Sequence, residues 1–223
     1  MKRFAALTIA LFALGVVRAS GAPPNPVINP DRPGIADGSA VVPRGWFQIE
    51  TGFERDEQNA KHASFTPTLL RYGVSDSFEL RVETNGYEDG SLAPVSIGFK
   101  KHFANTPSLG VIGRWFVDDS SGDLRLAADM ELNDKWSINP NIGVAYEDSS
   151  TSALAAMTLQ YNINDKVNVF ADGALQTPGS VIVDGGVAWI IGTRTQLDFS
   201  VGWGAHGDDV PDRFVSAGIS RAF

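Results

Sequence analysis

From Phe47 onward, apolar and polar side chains alternate. Phe47, Ile49, Thr51 and Phe53 fall on one side of an extended chain, and Gln48, Glu50, Gly52 and Glu54 on the other. Successive side chains of a strand point to opposite faces, so this period of two marks a strand with one apolar and one polar face. The pattern recurs down the chain. Phe78, Leu80 and Val82 oppose Glu79, Arg81 and Glu83; Val95, Ile97 and Phe99 oppose Ser96, Gly98 and Lys100. Leu124, Leu126, Ala128 and Met130 oppose Arg125, Asp129 and Glu131, and Leu197, Phe199, Val201 and Trp203 oppose Asp198, Ser200 and Gly202.

Polar turn signals interrupt this alternation about every thirty residues: Val74–Ser77, Ala104–Pro107, Leu132–Lys135, Ile163–Lys166 and Ile191–Arg194. Tyr72, Met130, Tyr161 and Trp189 each precede one of them. A unit of that length with one tight end holds two strands and one longer connection, and six such units from residue 45 to 223 predict twelve strands. Strands of about ten residues match a tilted crossing of a hydrocarbon layer; soluble strands are nearer five or six. Aromatic residues gather near both strand ends, where rings suit a bilayer interface. The expected fold is therefore an all-β, antiparallel transmembrane barrel of twelve strands, in preference to a soluble sandwich. The tight turns are expected in the periplasm and the acidic connections outside.

The first residues read differently. Lys2 and Arg3 precede an apolar run from Phe4 to Val17 and then the small residues Ala19–Ala22. This order is that of a secretory signal, expected over residues 1–19 with an alternative end at 22. Residues 20–44 form a Pro-rich leader, periplasmic or close to the lumen, in which Pro23, Pro24, Pro26, Pro30, Pro33 and Pro43 exclude a central strand. Residues 45–223 are the barrel. There is no cysteine, so neither a disulfide framework nor a thiolate metal site is possible. The net charge of −8 argues against a nucleic-acid partner. A mean hydropathy of −0.06 does not argue against a membrane barrel, because the two faces of its strands cancel.

Three stretches carry a family resemblance: Asp31-Arg32-Pro33, the first strand Val42–Gly52, and the hairpin Leu70-Arg71-Tyr72-Gly73-Val74-Ser75-Asp76-Ser77-Phe78-Glu79-Leu80-Arg81. They resemble the transporter-like outer-membrane family named for a meta-pathway of phenol degradation. The resemblance is specific over residues 31–81 and implies an outer-membrane barrel that moves small, often hydrophobic or aromatic, compounds. It implies a location in the bacterial outer membrane after secretion to the periplasm, among its lipid and lipopolysaccharide. The end of the chain, with Val215, Ala217 and Ile219 in register and Phe223 last, resembles the closing strand that barrel assembly machinery recognises; Arg221 departs from that pattern.

The side chains expected to face the lumen are Gln48, Glu50, Arg71, Glu79, Arg81, Glu83, Lys100, Arg114, Arg125, Asp129 and Glu131. Two readings stand side by side. These charges select a small-molecule solute at a constriction, or they neutralise one another and close the lumen. Asp31 and Arg32 either contact this set or form an exposed turn, and the turn is the plainer expectation. The acidic connections either meet divalent cations between lipopolysaccharide phosphates, attract cationic solutes, or simply keep the loops soluble, and the last is the plainer expectation. An outer-membrane hydrolase is the alternative from another class, with His62, His102 and His206 as its only possible bases. Ser96 and His102 share a face but lie roughly 20 Å apart along a strand, too far to share a proton. No spacing of residues calls for a cofactor or a metal.

Overall fold

The structure, a computed structural model, describes residues 28–88, 91–105, 107–117, 120–147, 149–207 and 210–223. The secretory segment, Pro23, Pro24 and Pro26, and the loop acids Asp89, Asp118, Asp119, Asp148, Asp208 and Asp209 lie outside the described residues. In chain order the strands are β1 (Phe47–Gln58), β2 (Lys61–Phe65), β3 (Thr68–Ser75), β4 (Phe78–Thr84), β5 (Tyr87–Glu88), β6 (Ser91–Leu92), β7 (Val95–Asn105) and β8 (Ser108–Phe116). They continue as β9 (Ser121–Glu131), β10 (Trp136–Glu147), β11 (Ser150–Asn164), β12 (Val167–Gln176), β13 (Ser180–Ile191), β14 (Thr195–His206) and β15 (Arg213–Ala222).

Twelve of these close an antiparallel barrel. Each pairs with its neighbour in sequence order, skipping β2, β5 and β6, and β15 pairs back onto β1 from Gln48↔Ala222 to Glu57↔Arg213. Closure removes both sheet edges, which a bilayer requires because it offers backbone groups no water. The end of the chain completes the seam: the Phe223 N–H donates to the Phe47 carbonyl at 2.8 Å, and the two rings lie 6.3 Å apart. Arg221, the residue out of pattern, carries its guanidinium 5.9 Å from the Phe223 ring centroid.

All five expected tight turns join barrel strands at one end. At the other end the expected alternation of short and long connections is only partly met. β10 and β11 pair without interruption up to Glu147↔Ser150, so their residues extend the ladder and not a loop. The first outer connection departs in the opposite way. β2 continues the line of β3 but is separated from it by Thr66-Pro67, because Pro67 has no N–H for the ladder. This is why β3 and β4 are short and why one strand beyond twelve pairs with β1.

The alternation holds as a division of faces. Leu80, Val82, Ile97, Leu124, Leu126, Phe199, Val201 and Trp203 are exposed on the outer surface, while Glu50, Glu79, Arg81, Lys100 and Asp198 are buried inside. An inverted profile of this kind is stable only against lipid. Leu126→Arg is expected to cost about 2–4 kcal/mol in a lipid-refolded barrel, and Gln176→Arg, on the inner face, under about 1 kcal/mol. Equal losses in a denaturant titration would reverse the assignment of faces.

Candidate functional site: the charged lumen and the leader within it

Residues 28–44 run inside the barrel. Ile28 N–H donates to the Thr193 carbonyl in the β13–β14 turn at 2.8 Å, so the described leader begins at the tight-turn end. It rises to mid-lumen, where Ile35 N–H donates to Asp172 Oδ2 at 2.9 Å, and returns so that Gly45 N–H meets the Gly73 carbonyl at 2.7 Å. Gly73 is open to this approach because a Cβ there would stand 2.2 Å from the Pro43 carbonyl. Ile28, Val42 and Trp46 with Ala222 make a small apolar cluster at the rim. Arg194 lies 4.2 Å from the centroid of the Trp46 ring.

Above that cluster the contacts are polar, and register explains them. Antiparallel pairing sets Arg71 directly opposite Arg81, a like-charge pair that shares Glu79 of β4, 2.8 Å from Arg71 Nε and 3.6 Å from Arg81 Nη1. Lys100 adds a third cation, one strand further on, opposite Glu79. The leader inserts Asp31 among them: its carboxylate accepts from Lys100 Nζ at 2.7 and 2.8 Å and from Arg81 Nη1 at 2.7 Å, and lies 3.4 Å from Arg71 Nη1. The exposed turn expected at Asp31-Arg32 therefore does not form; the Asp31 side chain is 8% exposed. Burial pushes its carboxyl pKa up, but the facing Arg71, Lys100 and Arg81 charges outweigh that and hold it below the ordinary value. Asp37 is likewise held low, because Arg81, Lys100, Arg114 and Arg125 outweigh the cost of burial.

Arg71, 1% exposed, has all five N–H groups engaged. Nε and Nη2 grip Glu79 at 2.8 and 3.0 Å, Nη1 reaches Glu50 at 2.9 Å, and the carbonyls of Asn29 and Ala40 take the other two at 3.1 Å each. The carboxylates it holds accept from the leader in turn: Arg32 N–H reaches Glu50 at 2.8 Å and Val42 N–H reaches Glu79 at 2.7 Å. Gln48 Nε2 donates to Glu50 at 2.7 Å. Asp129 anchors the returning limb, accepting from Ser39 N–H at 3.0 Å and Ser39 Oγ at 2.7 Å.

A second group stands nearer the loop end. Arg114 bridges Glu83 at 3.1 Å and Asp123 at 2.9 Å, and Arg125 reaches Asp123 at 2.7 Å. Thus Gln48, Glu50, Arg71, Glu79, Arg81 and Lys100 come together around Asp31, while Glu83, Arg114 and Arg125 form a second set, joined to the first through Asp37, 3.0 Å from Arg81 and 3.6 Å from Arg125. Glu131 joins neither and is exposed at the tight-turn end. Above the leader lie two open cavities of ≈ 410 and ≈ 420 Å³, both lined by Arg114 and Glu83.

Several acids at the lumen stand outside the set expected to face it. Glu54 and Asp56 belong to β1 and line the first cavity, and Asp123 belongs to β9. Asp172, Asp184 and Asp198 are buried on the inner faces of β12, β13 and β14. The same period of two that marked Glu50 and Arg81 points them inward. The three histidines do not converge: His102 is near the β7–β8 turn, and His62 and His206 are at the loop end.

A family model described as "Putative MetA-pathway of phenol degradation" matches residues 30–223. The chain belongs to this family. Its match includes the leader from Pro30 and every barrel strand, far beyond the stretch that carried the resemblance. No curated protein matches the sequence. Among solved structures, the KdgM porin is 10% identical with a TM-score of 0.64, over 79% of this chain and 99% of that one. An outer membrane channel from Pseudomonas putida F1 is 10% identical with a TM-score of 0.62, over 88% of this chain and all of that one. The NanC porin is 8% identical with a TM-score of 0.61, over 78% and 98%. At such identities these likenesses establish the fold, so this phenol-degradation family member has the barrel of outer-membrane porins and channels.

Proposed function

We propose that the protein is an outer-membrane channel for small molecules whose tight-turn half is closed by its own leader. The observation that carries this reading is the division of the lumen. Its loop-end half is open, with charged and polar walls, and its other half is filled by residues 28–44. Those residues are held mainly by hydrogen bonds and ion pairs, with one small apolar cluster at the rim. Polar fastenings of this kind exchange with water at modest net cost, whereas a packed apolar plug does not. The solved porins and the channel of the same fold support a conducting role, and the family's description suits small phenolic or other aromatic compounds as solutes. The scatter of His62, His102 and His206 over both ends favours a channel over a hydrolase. The tight-turn end is taken as periplasmic, so that the open half meets solutes from outside.

Conductance of refolded protein in a planar bilayer tests this. The full chain is expected to show small or intermittent currents, and a chain lacking residues 28–41 that still shows heat-modifiable gel migration is expected to conduct severalfold more. Equal currents would remove the leader from the path. Silence from both would remove the channel.

A further inference from the structure

The two sides of the lumen differ in how completely their charges are matched. On the side of β3, β4 and β7–β9, each arginine and lysine of the two groups described above meets a carboxylate: Arg81 meets Asp31 and Asp37, and Arg114 meets Glu83 and Asp123. On the side of β12–β15 and β1 the balance is reversed. Glu54, Asp172, Asp184 and Asp198 stand there, with Asp172 directly opposite Asp184 across the β12–β13 ladder. Among these four acids, Asp198 is hydrogen-bonded by Arg32 of the leader, which reaches its Oδ1 at 3.1 Å and the neighbouring Ser216 Oγ at 2.9 Å. Asp172, Asp184 and Asp198 are each 6% exposed, and Oδ1 of Asp172, Oδ1 of Asp184 and Oδ2 of Asp198 are buried with no hydrogen-bond partner. Buried carboxylate oxygens without donors are costly, so the wall is short of positive, hydrogen-bonding groups.

The seating of Arg32 indicates which cation suits this wall. Gly52 and Gly218 lie opposite one another at the β1–β15 seam. A Cβ on Gly218 would stand 2.5 Å from Arg32 Nε, and one on Gly52 would stand 2.8 Å from Nη2. The barrel wall is thus pared back to backbone where a flat guanidinium rests against it. Glu54 and Asp184 continue the same wall into the ≈ 410 Å³ cavity above the leader. Among the described residues no three acids or histidines converge closely enough to hold a metal ion. The four carboxylates come one each from β1, β12, β13 and β14, an arrangement that suits an extended cation with several N–H donors.

We infer that this acidic wall is a binding site for an organic cation, a guanidinium or primary ammonium group, held by Glu54 and Asp184 beside the chain's own Arg32. The inference adds organic cations to the solutes of the proposed channel and rests on that reading only for its physiological use, since binding itself requires no flux. Calorimetric titration of the full chain, refolded in detergent at low salt and neutral pH, distinguishes the two. n-Butylguanidinium is expected to bind and butyrate, of similar size and opposite charge, is not. Asp184→Asn and Glu54→Gln are each expected to weaken n-butylguanidinium binding at least tenfold while gel migration stays heat-modifiable. If Asp184→Asn does not fold, Glu54→Gln alone decides. Absence of binding, equal binding of butyrate, or affinity unchanged in the folded variants would overturn the site. Binding without conductance would overturn the channel and keep the site; conductance without binding would do the reverse.

Discussion

Arg71→Met is expected to lower the stability of the refolded barrel by about 3–5 kcal/mol, the cost of removing one member of a fully buried ionic group. The loss follows from the bonding of this side chain. Its five donors are all in use, and Glu50 and Glu79, both fully buried, depend on it for charge as well as hydrogen bonds. Methionine fills much of the volume but leaves two carboxylates, and in part Asp31, without their common cation. Lysine keeps the charge but not the planar fork, so Arg71→Lys is expected to recover less than half of the loss. Arg114→Met provides the comparison. Arg114 faces an open cavity at 14% side-chain exposure, where water can solvate the stranded acids, and about 1 kcal/mol is expected. Urea titrations followed by tryptophan fluorescence measure all three. Equal losses for Arg71→Met and Arg114→Met would show that the inner network is not the stronger anchor.

Asp31→Asn is expected to unseat the leader without opening the barrel. The carboxylate is a counter-charge that Arg71, Arg81 and Lys100 share, and its removal takes the hydrogen-bonded acid from buried Lys100 and one of two from Arg81, which keeps Asp37, again at about 3–5 kcal/mol. A cysteine introduced by Ala36→Cys, at a buried leader position, reports the change. Its labelling by a small thiol reagent is expected to rise at least tenfold at pH 7 when Asp31→Asn is added, with heat-modifiable migration retained. The pH dependence has a definite sign. The Asp31 carboxyl is held below its ordinary value of 3.8 in the folded protein. Its contribution is therefore fully present above that ordinary value and is lost as pH falls through the lower folded value. Labelling of the Ala36→Cys protein by a pyridyl disulfide, which reacts with thiols in acid, taken at each pH relative to the denatured protein, should stay slow from about pH 8 to about pH 5 and rise only in stronger acid, below about pH 4. A leader released between pH 7 and pH 5, or labelling unaffected by Asp31→Asn, would show that Asp31 is not what holds it.

The twelve-stranded barrel was legible along the chain because both of its determinants are local. Side-chain alternation is a property of neighbouring residues, and the turn chemistry at Ser75–Ser77, Asn133–Lys135, Asn164–Lys166 and Gly192–Arg194 lies within a few residues. Alternation likewise identified Glu50, Arg71, Arg81 and Lys100 as inward-facing before any partner was known. It set Asp198 on the polar face too, and the same alternation in β12 and β13 marks Asp172 and Asp184. It set Glu54 on the polar face with Glu50 but could not show that β1 runs on through Asp56 to Gln58, because nothing local distinguishes a strand that runs on from a loop that begins.

Tertiary structure alone decided how those inward charges are matched. Register sets Arg71 against Arg81, and the strands' own Glu50 and Glu79 answer Arg71. Arg81 and Lys100 take a hydrogen-bonded acid from Asp31, forty residues earlier than Arg71 in a Pro-rich segment without periodicity. Read locally, Asp31-Arg32 is a polar turn like any other. Only closure of β15 onto β1 makes a lumen, and only a lumen offers buried cations to Asp31 and the Asp198–Ser216 wall to Arg32. The sequence by itself therefore determined the faces, the strand number and the sites of the tight turns, since these depend on short-range geometry. Which half of the lumen is filled, and which carboxylates stay unmatched, depends on charges from distant strands meeting across a closed space, and so belongs to the tertiary structure.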